Sequence, residues 1–159
     1  IEQAGTLLAH ADTEKAQRLL QDILAKDPGN HHARVLPARS LLSTQPGAAV
    51  ELVREIEEHS IHFPMVEAIR TYSDLLRGLE HPDLLPAEEV RPLYLDAIRD
   101  LAAHNCSAAL EKFIEVIRHN RSYDDEGSRK ACISLFRILG DDHELTRELR
   151  RAFSSALYS

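Results

Sequence analysis

Apolar residues recur at intervals of three and four along almost the whole chain. Ala16, Leu19, Leu20, Ile23 and Leu24 make one such stripe, the spacing that lines one face of a helix. Asp27-Pro28-Gly29-Asn30 closes it: proline cannot continue the helix, glycine admits positive φ, and asparagine can cap the next one. Ala48, Ala49, Leu52, Val53 and Ile56 form a second stripe after Gln45-Pro46-Gly47. A third, opened by Pro64, runs through Met65, Ile69, Tyr72, Leu76 and Leu79. The fourth takes Val90, Leu93, Tyr94, Ala97, Ile98 and Leu101, and the fifth, beginning near Ser107, takes Leu110, Phe113, Ile114 and Ile117. Ser122 and Asp125 have capping-box-like spacing ahead of Ala131, Cys132, Leu135, Phe136 and Leu139, with Gly140 as the stop. Asp141 and Glu144 open a last helix whose stripe is Leu145, Leu149, Ala152, Phe153 and Ala156. With short helices over residues 3–10 and 32–43, the pattern predicts an all-α fold of about nine helices. No segment alternates with period two, which argues against strands. Pro37 and Pro92 fall inside helical patterns, so each should kink its helix or delay its start.

Short connections between successive helices predict antiparallel pairs. Residues 80–86, with Pro82 and Pro86, form the clearest loop. The expected organisation is one helical domain over 1–159: two helix pairs over 1–60, an irregular helix and proline-containing connection over 61–86, and a C-terminal repeat with capping helices over 87–159. Self-comparison adds a repeat. Ala16, Leu20, Ile23 and Pro28 occupy small, large, apolar and proline positions that resemble the second helix of a tetratricopeptide unit. Ala49, Leu52 or Val53 and Ile56 repeat the order without the proline; Ala109, Phe113 and Val116 repeat it again, with Arg121 in the proline position. A small residue lets the paired helices approach closely, so Ala16 and Ala109 are expected at close contacts. Such units stack into a right-handed superhelix.

The C-terminal segment carries a sharper likeness. Arg121-Ser122-Tyr123-Asp124-Asp125-Glu126-Gly127-Ser128-Arg129-Lys130-Ala131 leads into Leu135-Phe136-Arg137-Ile138-Leu139-Gly140, then Arg147-Glu148-Leu149-Arg150-Arg151-Ala152-Phe153 and Ala156-Leu157-Tyr158. This resembles the closing segment of the bacterial thioredoxin-like tetratricopeptide co-chaperones, the YbbN-type chaperedoxins. That family reads R-x-Y/F-x-D-x-x-A-R-K, then F-x-x-L-G, then Y-R-R-x-L-x-x-x-L-Y/F. Glu148-Leu149 replaces the usual aromatic, and Gly127-Ser128 stands where alanines are common. The resemblance implies a thioredoxin-fold domain, absent from this sequence, ahead of a helical arm that holds unfolding clients and passes them to chaperonins. The last helix would be a docking element.

Composition narrows the classes further. Hydrophobic residues are 43% and charged residues 28% of 159, the balance of an ordinary globular chain. A formal charge of −7 lacks the basic footprint of a nucleic-acid binder, and no apolar run is long enough to span a bilayer. The sequence begins at Ile1, and the expectation is a segment of a longer protein. Cys106 and Cys132 show no C-x-x-C and sit in apolar helical patterns, which fits buried, reduced thiols and a cytoplasmic location.

The nine histidines raise the question of metal. His31 and His32 are adjacent and diverge on a helix; His59 and His62 straddle a helix end; His143-Glu144 lacks the second histidine of H-E-x-x-H, because Arg147 stands there. Surface histidines are the expectation, with no metal and no cofactor. Glu57-Glu58, Glu88-Glu89 and Asp124-Asp125 lie near helix ends, and neither a nucleophile elbow nor a phosphate loop is present. No enzymatic function is expected. Protein partners are, as either unfolding clients or a chaperonin, or else an unrelated peptide read by a generic tetratricopeptide adaptor. First-helix register assigns His32, Val35, Arg39 and Tyr94 to a groove. Arg147, Arg150, Arg151 and Tyr158 would form a docking edge on the last helix.

Overall fold

In a computed structural model, residues 13–159 are described, with side chains from Arg18 onward. The expected helix at 3–10 and the side chain of Ala16 lie outside these residues. The described chain is all-helical. Its elements are α1 (Thr13–Lys26), α2 (His31–Leu41), α3 (Pro46–Val53), α4 (Phe63–Glu80), a 3-10 turn (Pro82–Leu84), α5 (Arg91–Ala102), α6 (Cys106–His119), α7 (Tyr123–Leu139) and α8 (Glu144–Tyr158). No described helix is long and apolar enough to cross a membrane. The described residues form two compact units that divide between Ile69 and Arg70, within α4.

In the first unit α1 packs on α2, and α2 on α3. Leu20 and Ala33 are buried together, with Leu19, Ile23, Leu24 and Leu36 packed around them. Asn30 caps α2 as its sequence position predicts: its Oδ1 accepts the Ala33 amide at 3.0 Å. Pro46 takes the first turn of α3, where no amide is missed. Pro37 lies inside α2 and is buried.

In the second unit α5 packs on α6, α6 on both α7 and α8, and α7 on α8. Pro92 falls in the first turn of α5 rather than in its interior, so the helix starts late. The turn from α5 to α6 is short. His104 adopts φ 62°, the Asn105 amide reaches back to the Asp100 carbonyl at 2.8 Å, and the His104 amide to that of Leu101 at 3.0 Å. This is a Schellman closure with histidine in the position glycine usually takes. Asn105 then caps α6 through the Ala108 amide. Ala109, Leu110, Phe113, Ile114, Val116 and Ile117 give α6 a buried face; Ala109 is fully buried. Cys132 is buried, Cys106 is half-buried, and both are free. Burial pushes both thiols up, away from thiolate.

One start differs from its sequence pattern. Ser122 makes no capping bond; its hydroxyl donates instead to Asn120 Oδ1 at 3.1 Å. Asp124, Asp125 and Glu126 follow with φ of 52°, 54° and 59°. A left-handed turn of non-glycine residues costs about 1–2 kcal/mol per residue, and here each side chain is held. The Tyr94 hydroxyl donates to Asp124 Oδ2 at 2.9 Å. Lys130 Nζ donates to Asp125 Oδ2 at 2.8 Å. The Arg129 guanidinium donates to both Glu126 oxygens, at 3.2 and 3.3 Å.

Candidate partner-binding surface

α8 begins at His143, whose Nδ1 accepts the Leu145 amide at 3.2 Å, so histidine rather than Asp141 is the cap. Its inner face buries Thr146, Phe153 and Ala156. The Phe153 ring meets Phe136 of α7 edge-on at 5.6 Å, which docks the last helix on its predecessor. Arg121, in the turn before α7, donates to the Leu157 carbonyl at 2.8 Å. A cation on the C-terminal carbonyls suits the helix dipole. The end of α8 is thereby pinned, and Tyr158 stands 85% exposed on it.

The arginines are less available than their spacing implies. Arg150 reaches Asp141 at 2.7 Å and lies over the Phe136 ring at 5.8 Å. Arg147 reaches Asp142 at 3.4 Å. Both acidic partners lie in the turn just before α8, so much of the basic edge is neutralised within the molecule. Arg151 is exposed and carries no ion pair among the described residues. It lies seven residues before Tyr158, two helical turns along the same face. A cleft of about 390 Å³ beside this helix is lined by Ile133, Phe136, Arg137, Gly140, Arg150 and Phe153, among others.

Tyr94 is 1% exposed and is a core residue. Its ring meets Phe113 at 5.6 Å and Tyr123 at 5.1 Å, both edge-on. Burial, with the Asp124 carboxylate beside it, holds its hydroxyl protonated far above the usual tyrosine range. Tyr123 in turn donates to the Pro86 carbonyl at 2.9 Å. Tyr94 borders a second cleft, of about 170 Å³, between α4, α5 and α7, with Thr71, Asp74, Gly78, Asp124 and Lys130 around it. Sequence reasoning missed this cleft, because its walls come from helices far apart in the chain. Gly78 is its one legible sign: a glycine inside a helix pattern, where an added Cβ would make only ordinary contacts, 3.5 Å to Ile98 and 3.7 Å to Leu85.

In the first unit, His32 and Arg39 are exposed and Val35 is buried. The His32 ring lies 5.4 Å from that of His62, a convergence the sequence did not suggest. No group of three His, Cys, Asp or Glu among the described residues is arranged to hold a metal.

Helix hairpins packed on successive neighbours, with a docked terminal helix, define the second unit as a helical-repeat structure. Residues 88–158 match the tetratricopeptide repeat family. The matched stretch spans α5 to α8, and tetratricopeptide repeats are in general protein–protein interaction modules. No curated protein and no solved structure matches the chain.

Proposed function

We propose that the chain is a non-catalytic protein-interaction module: the client- or chaperonin-binding arm of a thioredoxin-fused bacterial co-chaperone, working in the cytoplasm. The observation that carries this reading is the tetratricopeptide match over 88–158, the stretch whose last helix presents Arg151 and Tyr158 on one open face. The likeness of Arg121–Ala131 and the closing helix to chaperedoxins supplies the finer assignment. The test is direct. Purified chain should slow aggregation of a chemically unfolded model protein and bind a bacterial chaperonin. Arg151→Glu with Tyr158→Ala should weaken chaperonin binding at least tenfold while the thermal midpoint stays put. Full binding by that double variant would remove α8 from the interface, and no effect on aggregation and no chaperonin binding would remove the co-chaperone reading.

A second reading has its own support: a generic tetratricopeptide adaptor that takes an unrelated peptide in the cleft between α4, α5 and α7. Gly78 opens that cleft without a packing demand for glycine. Gly78→Ala should then lower peptide affinity without loss of stability, since alanine favours the helix by about 0.5–1 kcal/mol.

A further inference from the structure

Three histidines meet at one corner of the first unit. His31 and His32 are the first two residues of α2. His62 immediately precedes α4, and its carbonyl accepts the Met65 and Val66 amides at 3.0 and 3.2 Å. The His32 and His62 rings are 5.4 Å apart, tilted at 40°. Ser60 ties the corner: its Oγ lies 3.1 Å from His31 Nδ1 and accepts the His62 amide at 3.2 Å.

We propose that this corner is a pH-sensitive latch, closed when His62 is neutral and loosened when it gains a proton. The charges that meet a proton on His62 oppose it; the favourable contact at this corner is the Ser60 Oγ beside His31 Nδ1. A charge on His62 faces the positive end of α4, and charges on His31 and His32 face the positive end of α2. Burial, and then the neighbouring His32 and His31, draw the His62 pKa below the ordinary histidine value. Among the described residues no carboxylate forms an ion pair with His31, His32 or His62: Glu57 pairs with His59 at 3.3 Å and Glu55 with Arg34 at 3.1 Å, while Asp27, Glu58 and Glu67 of the adjoining segments stay unpaired. The sign follows from linkage. A histidine whose pKa is lower in the folded chain leaves the unfolded chain binding more protons. Stability is then complete well above pH 6.5 and falls as pH drops from there through the folded value.

The experiment is a histidine-ring titration of the full chain by NMR, folded and in urea, with amide exchange measured at about pH 7.5 and about pH 5.5. His62 should titrate lower in the folded chain than in urea, and His32→Gln should raise its midpoint. Protection in α2 and at Phe63–Val66, corrected for intrinsic exchange, should fall about threefold or more on acidification, while that of α7 holds. Equal His62 midpoints in the folded and unfolded chain, or a midpoint unmoved by His32→Gln, would overturn the latch. So would a loss of protection shared equally by α7.

Discussion

Gly127 sits where a side chain has no room. A Cβ built there strikes the Tyr94 hydroxyl and lies 3.0 Å from Asp124 Oδ2 and 3.2 Å from Tyr94 Cζ. Tyr94 cannot retreat easily, because it is buried between Phe113 and Tyr123 and bonded to Asp124. Two effects compete in Gly127→Ala. Alanine gains about 0.5–1 kcal/mol of helix preference, and overpacking a tight site costs about 1–3 kcal/mol. The clash outweighs the helix preference, so the expected net loss is about 1–2 kcal/mol. Tyr94→Phe removes the obstructing oxygen along with its bond to a carboxylate. That bond is worth about 1.5–3 kcal/mol to a charged acceptor, less here because Asp124 is half-exposed and can rehydrate. In the double variant the ring no longer blocks the methyl group, and Asp124 is free to move aside. Gly127→Ala should therefore turn neutral or stabilising when Tyr94→Phe is already present, a coupling of about 1–3 kcal/mol. Urea unfolding followed by circular dichroism reads all four corners of the cycle. In a unit of this size each kcal/mol moves the thermal midpoint by about 4–8 °C. Additive effects, or a stabilising Gly127→Ala with Tyr94 intact, would show that the Tyr94 hydroxyl does not set the requirement for glycine.

Phe153→Ala should cost about 3–5 kcal/mol, since it opens a void against Phe136; a loss below about 1 kcal/mol would mean that α8 is not seated there. Asn30→Ala and Asn105→Ala should each lose about 1 kcal/mol by denaturant titration through loss of a helix cap. Arg121→Ala should speed amide exchange in the last turn of α8 about two- to threefold, the bond to the Leu157 carbonyl being exposed and worth about 0.5 kcal/mol; unchanged exchange would rule out the pin. Alkylation at about pH 8 should label Cys106 slowly and spare Cys132 until denaturant is added, because the thiolate is the reactive form and burial raises both thiols. Equal labelling of the two by mass spectrometry would contradict this.

Local patterns were legible in the chain and contacts across it were not. The stripes of three and four located the helices because a helix reports its buried face through its own spacing. Asn30 and Gly140 marked ends because cap chemistry is local. The left-handed turn at Asp124–Glu126 escaped: three acidic residues ahead of a helix read as a dipole-friendly start, and the bonds that hold the turn include one from Tyr94, thirty residues away. Tyr94 fell on a plausible groove register, yet its ring is the aromatic centre of the second unit. Adjacent His31 and His32 diverge along their own helix, so only the turn at Ser60 reveals that His62 meets them. The departure at Gly127 from the co-chaperone pattern acquires a physical cause in the Tyr94 hydroxyl.

The self-paired arginines of α8 bear on how fast a partner could arrive. Asp141 and Asp142 lie within 4 Å of Arg150 and Arg147, well inside the Debye length of about 8 Å at physiological salt. Beyond that distance each pair is close to a dipole, and its field decays faster than that of a free charge. Among the α8 arginines Arg151 alone keeps an unpaired charge, so long-range steering on this edge is reduced and its dependence on ionic strength is small. On the proposed docking surface a carboxylate reaches Arg151 directly, but must displace an aspartate already in place to engage Arg147 or Arg150. The edge thus offers one open cation beside two that answer only a ligand whose geometry lets it exchange.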